Sequence, residues 1–252
     1  MVEQDIQSYM RLAASRGRDT EQVGPFLATF SRHTDLVFLN YAVPDDNAEP
    51  SADDVAALIA SYERRDRKPR LEYLPSLAPD VETVLIACGF AVEGLLPLMI
   101  YAPGLASTLP ALQGIEIVSA SSDADFLATL VVQFEAYGNT SSPDQDDVAR
   151  LRSCVEAGGI AVFARDTESG EPAGAGVCAP PFGNVTELAA IGVCGAFRRR
   201  GIAGAVTARL ADEANAAGTT TIFLTPAHDE GERIYGRVGF HSISKMLHIS
   251  KL

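Results

Sequence analysis

Nowhere in its 252 residues does the chain run apolar for the roughly 20 positions that a helix needs to cross a membrane. The opening Met1-Val2-Glu3-Gln4-Asp5 lacks the basic-then-apolar order of a secretory leader, so a cytoplasmic location is the default expectation. Cysteine is sparse. Cys88, Cys154, Cys178 and Cys194 include no C-x-x-C pair and no histidine at metal-ligand spacing. Each lies among apolar or small residues, which favours buried reduced thiols over a zinc site or a disulfide framework, and no metal is expected. Basic residues are also short, with 20 Lys+Arg against 33 Asp+Glu and a net charge of -13. Such a surface repels nucleic acid and anionic membranes, so neither is an expected partner, and it modestly attracts a cationic amine.

What is present is an ordinary globular composition, 47% hydrophobic and 21% charged, in a chain long enough for one large domain or two small ones. The second half reads most clearly. A strand at 114–118 precedes helices at 123–137 and 144–156, separated by the turn-rich 138–143. Short strands follow at 160–164, 173–178 and 185–193. A helix then starts near Arg199, with Ile202, Val206, Leu210 and Ala214 on one face and Gly218 as its stop. A strand at 221–225, a helix at 229–237 and an alternating strand at 240–250 close the chain. The order is β-α-α-β-β-β-α-β-α-β, a mixed sheet with helices on its faces.

The first half echoes the end of the second. Leu71 to Leu74, a short helix, Gly89-Phe90 and a strand to Tyr101 parallel Ile222 to Thr225, a helix, Gly239-Phe240 and the last strand. Upstream, a strand at 36–43 and an amphipathic helix at 53–65 parallel 185–193 and 199–217. Two Gly-Phe pairs at matching offsets favour a duplication over chance repetition of strand-helix-strand. The expected division is a domain at 1–105, a linker at 106–113 and a domain at 114–252.

The chemistry concentrates between Val193 and Gly204. A strand ends, an Arg-rich loop follows, and a helix begins. The first amides of a helix have no internal partners and carry a partial positive charge, so they suit a pyrophosphate. Gly201, Ala203 and Gly204 are small enough for close approach, and Arg198, Arg199 and Arg200 add charge-assisted contacts. The spacing is neither that of a P-loop nor that of a dinucleotide fingerprint. A basic helix start with no ligand gives the same local pattern.

Arg198-x-x-Gly201-x-Ala203 after a strand ending at Val193 resembles the acetyl-CoA-binding motif of the GCN5-related N-acetyltransferases. Tyr235, three residues, then Gly239-Phe240 is similar to that family's closing pattern, and the resemblance covers roughly Gly114 to Leu252. It implies an α/β fold of the α+β kind, a mixed, mostly antiparallel sheet flanked by helices. Here that fold would stand in tandem with a smaller, degenerate N-terminal copy. It also implies acetyl-CoA as co-substrate. Amides from Arg199 through Ile202 to Gly204 would hold the pyrophosphate, and the main chain of Ile191 and Val193 would pair with the pantetheine arm. An amide near Ile191 would stabilise the oxyanion. His228 stands where the family often has Asn.

Two side chains are candidates for proton work. Tyr235 occupies the position of the family's general acid; alternatively its hydroxyl fills a polar gap. Glu187, eleven residues ahead of Arg198, matches the general-base offset of some members, or it is an outward-facing edge residue. The expected activity is acetyl transfer to a primary amine, on a small molecule or a peptide, by direct attack. A non-catalytic acyl-CoA-binding sensor is the alternative. In the first half, the loop Pro44 to Pro50 is acidic and lacks glycine, and Leu85 stands in place of Tyr235, so no CoA site is expected there. The acceptor and the oligomeric state are not specified by sequence.

Overall fold

A computed structural model describes residues 1–252. In chain order the elements are α1 (Val2–Ser15), β1 (Arg18–Val23), β2 (Phe26–Ser31), β3 (Ala42–Pro44), α2 (Ala52–Glu63), β4 (Arg70–Tyr73), α3 (Val81–Ala87) and β5 (Phe90–Tyr101). They continue with β6 (Ile115–Ser119), α4 (Asp123–Ala136), α5 (Gln145–Glu156), β7 (Ile160–Asp166), β8 (Pro172–Cys178), β9 (Val185–Val193), α6 (Ile202–Ala216), β10 (Thr221–Leu224), α7 (Asp229–Val238) and β11 (Phe240–Lys251). From β6 onward this is the order expected from sequence.

The chain forms two compact units, one of residues 1–98 and 242–252, the other of residues 99–241. Residues 106–113, read from sequence as a linker, fall within the second unit. The first unit's sheet runs β1-β2-β3-β4-β11-β5, and β11 pairs antiparallel with β4 through Leu247 opposite Tyr73 and Ile249 opposite Leu71. The second unit's sheet runs β5-β10-β9-β8-β7-β6, with Met99 and Ile100 of β5 opposite Leu224 and Phe223 of β10. Each half of the chain therefore gives its final strand, in whole or in part, to the other unit's sheet. Periodicity identifies such a strand but carries no information on which partner it joins.

Within the first unit β1, β2 and β3 form an antiparallel meander, and β3 then pairs parallel with β4. Within the second, β7, β8 and β9 do the same, and β9 pairs parallel with β10. The first unit's core gathers Phe26, Phe30, Val55, Leu58, Tyr62, Leu71 and Leu247. One expectation fails here: a strand over 36–43. Val37–Leu39 is a 3-10 turn and the strand starts only at Ala42. Asn40 explains it. Its side-chain amide donates to the carbonyls of Thr34 and Leu36 and its oxygen accepts from the Ser31 N–H, giving the backbone an alternative to the ladder.

In the second unit α6 lays Ile202, Val206, Leu210 and Ala214 on one sheet face, all buried among Val162, Ala164 and Ile222. At about 2 kcal/mol for each fully buried large side chain, this stripe fixes the helix on the sheet. The opposite face is covered by Phe126, Val132, Val148 and Leu151 from α4 and α5. Its sheet is mixed and mostly antiparallel, with helices on both faces.

Candidate active site

Three helices begin with a capping box. Ser51 and Asp54 close α2, Ser122 and Asp125 close α4, and Asp144 and Asp147 close α5. These side chains satisfy amides that the helix itself leaves open. The start of α6 is different. Its N-cap is Gly201 at φ 82°, with no side-chain cap, and none of the amides from Arg199 to Gly204 donates to a partner within the chain. A β-carbon at Gly201 would be strained by that φ, so glycine is needed for the turn that aims these amides outward.

They open on a cavity of about 630 Å³ in the second unit. Ile191, Val193, Arg198, Arg199, Gly201, Ile202, Ala203, Gly204, His228 and Tyr235 all line it. Two expected site residues do not. Arg200 turns away, stacking over the Phe197 ring at 5.4 Å, donating to the Gln113 carbonyl at 3.2 Å and pairing with Asp166 at 3.8 Å. Glu187 lies half-buried on β9, one residue before the lining begins at Leu188.

Strand β9 departs from its ladder beside the cavity. Ala175 faces Gly192 and Val177 faces Ala189, so Ala190 and Ile191 stand against the single residue Gly176. This bulge places Ala190 at φ 52°, a conformation rare for a residue with a β-carbon. Arg198 donates to the Val193 carbonyl at 3.4 Å, holding the loop between strand and helix.

Tyr235 sits on α7, its ring edge-on to Phe240 at 6.4 Å. Burial, with the Tyr137 phenol nearby, pushes its pKa up to about 12, so it holds its proton at neutral pH. His228 is the N-cap of α7, and its side chain makes no cap bond. Cys194 is buried, and burial first, then Glu135, pushes its thiol up to about 12, which disfavours a thiolate nucleophile.

Sequence reasoning missed several walls of this cavity. Leu109 and Pro110 line it, although they fall in the stretch expected to be a linker. Ser107 N–H donates to the Arg237 carbonyl at 2.9 Å, which ties that stretch to α7. Glu230 and Arg237 were also not foreseen; the amphipathic pattern of α7 marks a polar face without saying what it borders. Glu135 accepts the Gly195 N–H at 2.8 Å.

Residues 127–240 match the Acetyltransferase (GNAT) family model. Among solved structures, a GCN5-related N-acetyltransferase from Kribbella flavida is 23% identical with a TM-score of 0.79, covering 99% of this chain and 95% of that one. A GCN5-related N-acetyltransferase from Sphaerobacter thermophilus is 15% identical with a TM-score of 0.67, over 90% and 76%. A tandem GNAT protein from the clavulanic acid biosynthesis pathway is 12% identical with a TM-score of 0.65, over 95% and 86%. No curated protein sequence matches this chain. The fold is that of the GNAT acetyltransferases, and within it residues 127–240 form an acyltransferase domain of the GNAT family.

Proposed function

We propose that the second unit transfers an acetyl group from acetyl-CoA to a primary amine, on a small molecule or a peptide, by direct attack. The observation that carries this reading is the uncapped start of α6. Unpartnered amides from Arg199 to Gly204 open on the same cavity as the bulged strand and Tyr235. The amides would hold a diphosphate, with Arg198 and Arg199 adding charge. The main chain of Ile191 and Val193 would pair with the pantetheine arm, and an amide of the bulge would polarise the thioester carbonyl. Tyr235 would protonate the departing thiolate, and its raised pKa keeps a proton available for that step.

Because Glu187 stands outside the cavity lining, we assign the amine proton to solvent. Glu187→Gln is then expected to change kcat/KM by less than about threefold, measured by thiol release. A loss approaching the roughly 100-fold of a true general base would restore Glu187 to that role.

We further read the first unit as a degenerate copy that binds no CoA. Its meander and parallel strand pair repeat the second unit's order, but the start of α2 is filled by Ser51 and Asp54. In the preceding loop Asp45 pairs with Arg11 at 2.5 Å, Asp46 accepts from Gln7 at 2.6 Å, and the Asn47 N–H donates to the Leu77 carbonyl at 2.6 Å. Leu85 is fully buried. Calorimetric titration of the full chain with CoA is expected to give one site per chain. Two sites would overturn the reading of the first unit, and none would overturn the acyl-CoA reading as a whole.

A further inference from the structure

We propose that the last turn of α4 and its C-cap are the positioning element of this reaction: Gln133 and Tyr137 hold the carbonyls of Ala190 and Ile191, and so set the peptide that must receive the acyl oxygen. The inference rests on the acyl-CoA reading of the cavity.

A residue carrying a β-carbon pays for a left-handed backbone, and it keeps that conformation only where its surroundings impose it. The bulge takes Ala190 and Ile191 out of register with β8, so the ladder does not impose it. The imposition comes from α4. Gln133 Nε2 donates to the Ala190 carbonyl at 3.1 Å, and the Tyr137 hydroxyl donates to the Ile191 carbonyl at 3.3 Å. Positions 133, 136 and 137 share one helix face. Ala136, between the two donors, packs directly on Gly192: a β-carbon at 192 would lie 2.6 Å from the Ala136 methyl. Glycine at 192 is what lets this face of α4 reach the strand.

The consequence follows from peptide planarity. In a trans peptide the C=O and N–H point in opposite directions within one rigid plane. Fixing the Ala190 carbonyl toward Gln133 therefore fixes the Ile191 N–H away from α4. Glu135 extends the same grip to the next loop by accepting the Gly195 N–H at 2.8 Å. One helical turn thus sets both the strand that would meet the acyl group and the loop that leads into the diphosphate cradle. None of these three side chains needs to touch the reacting atoms; their role is positioning.

The test compares full-length wild type, Gln133→Met, Tyr137→Phe and the double variant Gln133→Met with Ala190→Gly. CoA affinity is measured by calorimetry, thiol release with acetyl-CoA and a panel of primary amines, and stability by thermal melting. Gln133→Met is expected to lower kcat about tenfold while the Kd for CoA, which has no acyl oxygen, stays within about twofold. Adding Ala190→Gly removes the strain and is expected to recover at least about threefold of that loss. Tyr137→Phe, a change at an exposed residue, is expected to lower kcat about threefold and serves if Gln133→Met does not fold.

A Gln133→Met enzyme with wild-type kcat overturns the proposal. So does a parallel loss of kcat, CoA affinity and melting temperature that Ala190→Gly fails to rescue, since that is what plain loss of packing would give. A wild type that binds no CoA or releases no thiol overturns the acyl-CoA reading itself. A wild type that turns over beside an equally active Gln133→Met overturns only the role of α4.

Discussion

Replacing Tyr235 with phenylalanine is expected to lower kcat about 100-fold while leaving the Kd for CoA within about twofold. The ring stays, and with it the packing against Phe240. Only the hydroxyl is lost. In the proposed reaction that hydroxyl acts after the amine has attacked, when the thiolate leaves, so its removal should appear in turnover rather than in binding. The pH dependence has a definite sign. A phenol held at about 12 remains protonated from pH 6 to pH 10, so the wild-type rate should rise with the free-amine fraction and show no alkaline fall from this group. The same shift makes the protonated folded state more favourable below pH 10, the ordinary phenol value, and that contribution fades as pH climbs toward 12. Steady-state thiol release and calorimetry on both proteins decide the matter. Equal kcat values would reduce Tyr235 to a packing residue.

The second large effect should come from Ala203→Glu, where binding and stability are expected to part company. Ala203 is the second residue of α6, half-exposed at the cavity. A carboxylate in the first turn is favourable to the helix, worth about 0.3–1 kcal/mol, so the melting temperature should hold or rise slightly. The same carboxylate would compete for the open amides and repel a diphosphate, and CoA affinity should fall at least about 100-fold, or about 2.7 kcal/mol. Nature has placed the equivalent device in the first unit, where Asp54 occupies the opening of α2. If Ala203→Glu bound CoA as tightly as wild type, the diphosphate could not sit on these amides, and the cavity would need another ligand.

The parts of this site that were legible in sequence are those written locally. The end of β9, the Arg-rich turn and the glycine before α6 are contiguous, and helix starts obey rules that act over four or five residues. Tyr235 to Phe240 is equally compact. The rest depends on who meets whom. Arg18–Val23 forms a strand, yet its residues, Arg-Asp-Thr-Glu-Gln-Val, show no apolar alternation, because its order comes from pairing with Phe26–Ser31. Arg200 belongs to the motif by position, but Phe197, Gln113 and Asp166 draw it elsewhere. Gln133 and Tyr137 look like ordinary helix residues until β9 is laid against them. Glu187 has the family's offset, yet the cavity lining on β9 starts one residue later, at Leu188, a limit that spacing does not reveal.

The placement of residues 242–252 bears on how the chain is made. A ribosome releases the protein from its amino end, and domains ordinarily mature in that order. Here the first unit's fifth strand follows residues 99–241 in the chain, so it is made only after them. Until then β4 stands with one edge open, and the acyltransferase unit is the first to become whole.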